Sequence, residues 1–150
     1  MRWLTLRLLI GVLFALHVSS FINKEPLTIS WKSLSETAFF EYFDETKNIW
    51  TLEGSFPKEI VKLNGSNIKI TGYVIPLDIK QGNYVISAYP YSSCYFCGGA
   101  GPESIVNLQL NELKNHIETD AIKTFSGVLD LQSRPKNGFY FTLINARIEN

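Results

Sequence analysis

The pattern of apolar and polar positions changes character near residue 66. Before it the apolar residues come in clusters that suit short helices. After it they come in runs that suit strands. Ser33-Leu34-Ser35-Glu36 has capping-box spacing and predicts a helix over residues 36–43, with Trp31, Leu34, Phe39 and Phe43 as core candidates. Asn48-Ile49-Trp50-Thr51-Leu52 predicts a short strand that ends at Gly54. Ser55-Phe56-Pro57 then predicts the start of a second short helix, Lys58 to Leu63, ended by Asn64-Gly65.

Five strands follow. Ile68 to Leu77 alternates at first and becomes apolar on both faces after Gly72, which predicts a strand that bends at that glycine. Pro76 has no N–H to donate, so the end of this strand belongs at an edge. Gln81-Gly82-Asn83 is a turn, and Tyr84 to Tyr89 is a second strand that pairs as a hairpin with the first. Ile105 to Leu110 is the third strand, Ile122 to Leu131 the fourth with Gly127 inside it, and Phe139 to Ile148 the fifth. Asn111 to Thr119 is a polar connection, and Arg134 to Gly138 a turn. Five short strands with glycine bends favour a closed curved sheet, since an open one would expose long apolar edges. The expected fold is mainly β: a small five-stranded OB-like barrel with one or two short N-terminal helices.

The N-terminus adds a compartment. Arg2 and Arg7 flank the start of an apolar run, Leu8 to Leu16, followed by Val18-Ser19-Ser20 at the spacing of a signal peptidase site. That run is too short to cross a bilayer at 1.5 Å per residue. The expected organisation is a signal peptide over 1–20, a linker over 21–32 and the barrel over 33–150, exported to the periplasm or envelope with no membrane span left after cleavage. Removing Arg2 and Arg7 from 14 basic residues leaves 12 against 14 acidic ones. A slightly acidic domain without a basic run is a poor partner for polyanions, so nucleic acid is not expected.

The candidate chemistry sits between the second and third strands. Cys94-Tyr95-Phe96-Cys97-Gly98-Gly99-Ala100-Gly101-Pro102-Glu103 holds both cysteines of the chain. Four readings stay open: a disulfide, which suits export and leads; a metal half-site; a thiol–disulfide exchange pair; and two inert buried thiols. Zinc wants four ligands. With no second C-x-x-C, a site built on Cys94 and Cys97 would need Glu103, His116 or another chain. Exchange chemistry wants a thiol at a helix N-terminus, and the segment after Cys97 is a poor helix start. Gly98, Gly99, Gly101 and Pro102 shape a tight loop. Tyr89, Tyr91, Tyr95 and Phe96 are candidates for an aromatic wall facing a ligand. No catalytic set stands out. Zinc or another divalent metal is the candidate ligand, and no cofactor is otherwise assigned.

Gly72-Tyr73-Val74-Ile75-Pro76-Leu77, the cysteine segment through Ser104, Phe125-Ser126-Gly127-Val128-Leu129 and Leu143-Ile144-Asn145-Ala146 together resemble an uncharacterised family of exported bacterial OB-like domains. The resemblance spans roughly residues 30–149, almost a whole domain by size. It implies an envelope location and makes the cysteine loop the expected site, but it carries no activity. The leading expectation is a non-enzymatic exported binding or accessory module that presents the C-x-x-C loop to a metal ion or an envelope protein. The alternatives are a thiol–disulfide exchange protein and an oligonucleotide- or oligosaccharide-binding OB domain.

Overall fold

The computed structural model describes residues 25–112 and 116–149, so the expected signal peptide lies outside the described residues. The chain forms β1 (Leu27–Thr28), α1 (Trp31–Ser35), β2 (Ala38–Asp44), β3 (Ile49–Ser55), α2 (Lys58–Val61), β4 (Asn67–Asp78), β5 (Asn83–Ser87), β6 (Ile105–Leu110), β7 (Ile122–Leu131) and β8 (Phe141–Ile148). No described helix is long and apolar enough to cross a membrane.

β4 is the strand on which the sheet closes. Its first half, Asn67 to Tyr73, pairs antiparallel with β7, and its second half, Tyr73 to Asp78, pairs antiparallel with β5. Around the circuit β5 pairs with β6, β6 runs parallel to β8, and β8 returns to β7. The result is a closed five-stranded mixed barrel of OB-like topology, with β1 added parallel to the start of β4. A strand that changes partner midway must bend, and Gly72 lies beside the change. A Cβ there would collide with the Ser87 carbonyl and lie 2.9 Å from the Trp31 ring. Pro76 lies beyond the last pair with β7, on the side of β4 where no N–H is needed.

The barrel interior is filled by alternate residues of every strand: Ile68, Ile70 and Val74 of β4, Tyr84 and Ile86 of β5, Val106 and Leu108 of β6, Phe125 and Leu129 of β7, and Phe141, Leu143 and Ala146 of β8. Leu34 of α1 is fully buried in the same cluster. Trp31 packs against the cluster's rim and donates its indole N–H to the Thr71 carbonyl at 2.7 Å.

The N-terminal region departs from expectation. Residues 38–44 are a strand, not the continuation of a helix, and α1 ends where that helix was expected to begin. Ser33 caps nothing; Ser30 stands at the N-cap and shares a hydrogen bond with the Ser33 hydroxyl. Ala38 to Asp44 is rich in aromatic residues and pairs residue for residue with Ile49 to Ser55, so β pairing prevails over the local capping signal. Within the expected linker, Leu27 and Thr28 pair with Ile68 and Lys69, and Trp31 opens α1. α2 begins after Pro57, as the sequence predicts, but ends at Val61 and not at Leu63; Gly65 follows at φ +77°.

The β2–β3 hairpin leans on the barrel through the loop that joins β7 to β8. Gly54 N–H donates to the Ser133 carbonyl at 2.8 Å, the Tyr140 hydroxyl donates to the Leu52 carbonyl at 2.8 Å, and Phe39 meets Tyr140 edge-on at 4.9 Å. Arg134 of the same loop lies 4.3 Å over the Tyr42 ring and pairs with Glu53 at 2.6 Å.

Gly72→Ala is expected to destabilise the fold by about 1–3 kcal/mol, because the added methyl meets backbone that cannot yield without shifting the β4–β5 pair. Urea unfolding of the two proteins measures the difference. A change within about 0.5 kcal/mol would mean that the bend tolerates a side chain.

Candidate functional site

The residues on the outer face of β4, β5 and β6 define the site. Interior positions alternate with outward ones, so Ile75, Val85 and Ile105 face away from the barrel interior. They are nonetheless buried, at 1%, 0% and 2% exposure, and Cys94 is buried with them at 0%. Among the described residues these four are the buried apolar residues that do not belong to the interior cluster. The loop from Ala88 to Ser104 joins β5 to β6, and Cys94 is its fully buried apolar residue.

The loop holds its shape through three 3-10 turns, Tyr91–Ser93, Tyr95–Cys97 and Pro102–Ser104. Its stem is closed by Ala88 N–H to the Ser104 carbonyl at 2.9 Å and by the Ser104 hydroxyl to the Gly101 carbonyl at 2.6 Å. Gly98 takes φ +74°, where L side chains are disfavoured, and its N–H donates to the Tyr95 carbonyl. A Cβ on Gly99 would lie 2.6 Å from the Ser93 carbonyl oxygen. The glycines therefore permit a compact fold-back. Asp120, which the sequence did not single out, pins the loop from outside. It sits at φ 63°, and its carboxylate accepts the Tyr91 N–H at 2.7 Å. Its signal lay in the Thr119-Asp120 step of the polar connection, since Asp tolerates the left-handed region.

The expected disulfide is not formed. Both cysteines are free thiols, with Cys94 buried and Cys97 exposed. Cys97 turns its thiol onto the Tyr91 carbonyl at 3.1 Å, while Cys94 is fully buried. Cys97 is exposed as a residue, and its thiol is held by that hydrogen bond. Desolvation, then the charge and hydrogen bond of Cys94, push its pKa up. A raised pKa leaves little thiolate for nucleophilic attack or exchange.

The other expected ligands lie apart from this pair. Among the described residues no three His, Cys, Asp or Glu side chains gather in a cluster fit to hold a metal. Glu103 folds its carboxylate toward Gly101 and borders a small groove of about 210 Å³ with Trp31, Lys32 and Tyr89. His116 shares a hydrogen bond of 3.0 Å, through Nδ1, with the hydroxyl of Tyr84, which pairs with Leu108 well away from the loop's stem at Ser87 and Ile105. The four aromatic residues do not make one wall. Tyr89 faces α1, Tyr91 is exposed, and Tyr95 and Phe96 stack edge-on at 5.5 Å. Phe96 reaches Phe139 of the β7–β8 loop at 6.5 Å.

That last contact joins the cysteine loop to a second, wider groove. A groove of about 600 Å³ runs over the outer face of β6, between the β4–β5 turn and the β7–β8 loop. Five of its lining residues are carboxamides: Gln81 and Asn83 at the turn, Asn107 and Gln109 on β6, and Asn137 on the far loop. Phe139 and Leu77 supply apolar surface, and among the described residues no lining side chain carries a charge. Asn107 and Phe139 are half-buried. Asn137 uses its carbonyl oxygen to accept the Phe139 N–H at 3.2 Å, which sets the loop beside the ring. The carboxamides of Asn107 and Gln109 make no side-chain hydrogen bond to described residues. Sequence reading missed this groove, although the outward Asn107 and Gln109 were visible as the polar half of an alternating strand.

Cys94→Ser is expected to cost about 1–3 kcal/mol, because it buries a hydroxyl in an apolar layer, while Cys97→Ser stays within about 0.5 kcal/mol. Equal losses in urea unfolding would contradict the separate roles. For Cys97 the sign follows from the raised pKa: the protonated form is favoured in the fold, so any stability it contributes is present below the unfolded thiol's pKa and lost as pH rises through the folded one. Iodoacetamide labelling of Cys97 in the folded protein should therefore reach half its plateau rate above about pH 8.5, the value for a free thiol. A midpoint below that would contradict the raised pKa.

No family model matches the chain, and no curated protein matches it. Among solved structures it is similar to a DUF3299 family protein from Pseudomonas aeruginosa, at 14% identity and a TM-score of 0.49, with 83% of this chain and 97% of that one covered.

Proposed function

We propose that this protein is a non-enzymatic binding module of the cell envelope that holds an uncharged ligand in the groove over β6, with the cysteine loop as a structural wall. The observation that carries the reading is the groove's lining: five carboxamides and an aromatic ring, with no charge among the described residues, on one barrel face between two loops. Small-molecule sites are concave, roughly 300–1,000 Å³, and combine apolar surface with a few convergent polar groups. The OB-like barrel supports the placement, since such barrels bind on this face and through these two loops. Fold alone does not fix function, so the argument rests on the lining.

The cysteine loop fits a supporting role better than metal handling or exchange. One of its thiols is buried, the other has a raised pKa, and neither Glu103 nor His116 joins them. Phe96 of the loop meets Phe139 of the groove, so a firm loop helps to position the ring. The envelope location is carried by the apolar run Leu8 to Leu16 and by the family resemblance.

Hydrogen–deuterium exchange of the full chain, with and without a dialysable extract of bacterial envelope, tests the reading. Protection is expected in the β4–β5 turn, β6 and the β7–β8 loop, with the Cys94–Gly101 segment unchanged when zinc is added. Protection confined to the cysteine loop, or zinc-dependent protection there, would transfer the site to the thiols. No protection in any segment would contradict a binding module of this kind.

A further inference from the structure

We infer that the ligand of this groove is a neutral oligosaccharide, read by the carboxamides of Asn107 and Gln109 and seated against the ring of Phe139; the inference rests on the groove being the binding site. The chemistry of the lining narrows the ligand class. A carboxamide offers two N–H donors and a carbonyl acceptor on one planar group. A sugar hydroxyl both donates and accepts, so a ligand rich in vicinal hydroxyls is the natural complement to several carboxamides placed side by side. Asn107 and Gln109 are two residues apart on one strand and project from the same face, so they sit at the spacing of successive outward positions. Asn83 and Gln81 approach from the turn and Asn137 from the opposite loop.

Two further features favour a sugar over other uncharged or charged ligands. The half-buried ring of Phe139 offers a flat apolar surface, which suits the C–H face of a pyranose. Among the described residues the lining has no Lys or Arg to counter a phosphodiester chain and no Asp or Glu to partner an amine. A lipid or other purely apolar ligand would strand the carboxamides, since Asn107 and Gln109 have no protein partner among the described residues and would lose water on binding.

The test is side-chain amide NMR of the full chain, titrated separately with three neutral trisaccharides: the β-1,4-linked glucose trimer, the α-1,4-linked glucose trimer and the β-1,4-linked N-acetylglucosamine trimer. An oligothymidine strand and a blocked uncharged tripeptide serve as the other probes. At least one trisaccharide is expected to shift the amides of Asn107 and Gln109, with an affinity that does not change between low and physiological salt. Phe139→Ala should weaken that binding roughly tenfold, the free energy of one aromatic contact. Asn107→Ala combined with Gln109→Ala, on the barrel's outer face, should weaken it at least as much while the dispersion of backbone amides stays native. If the tripeptide or oligothymidine shifts these amides and no trisaccharide does, the sugar class is overturned and the groove remains the binding site. If no probe shifts them, the sugar inference is overturned, and the exchange experiment above decides the groove itself. Trisaccharide binding that both variants leave unchanged would also overturn it.

Discussion

The change of partner along β4 is the constraint on which the other features depend. One strand must pair with β7 through Tyr73 and with β5 from Tyr73 onward, and it can do so because Gly72 lets it bend under Trp31. Closure then leaves no open edge in the barrel, and it fixes where the connections emerge. The β4–β5 turn and the β7–β8 loop end up on either side of β6, with the groove between them. The same closure turns Ile75, Val85 and Ile105 outward as an apolar strip that water would otherwise reach.

The cysteine loop is a compact, hydrogen-bonded excursion between β5 and β6. Cys94 is its buried apolar residue, Gly98 and Gly99 allow the fold-back, and Asp120 fixes the loop to the base of β7. A buried cysteine acts as a small hydrophobe, so its packing alone accounts for its place. Cys97 then follows from the turn: its N–H closes onto the Cys94 carbonyl and its thiol onto the Tyr91 carbonyl. The loop is thus coupled to the groove through Phe96 and Phe139, by packing and not by sulfur chemistry.

The barrel was legible in the sequence because its strands carry their own signals. Ile68-Lys69-Ile70 alternates, Gly72 marks the bend, and Gln81-Gly82-Asn83 marks the hairpin turn. The β2–β3 hairpin was not legible. Ser33 and Glu36 stand at helix-capping spacing, and only the pairing of Phe40 with Glu53 and Phe43 with Trp50 overrides them. The groove was not legible for a related reason. Cysteines advertise chemistry by type, whereas Asn83, Asn107, Gln109 and Asn137 become a group only once the barrel closes. Their separation along the chain hides them, and a lone carboxamide in a strand reads as solvated surface.

The most direct measurement is a crystal structure of the full chain soaked with neutral trisaccharides. The account predicts a sugar ring lying against Phe139, with hydroxyls within hydrogen-bond distance of Asn107 and Gln109, and the cysteine loop unchanged with both thiols unligated. A sugar or metal bound at Cys94 and Cys97, with the groove empty, would contradict it.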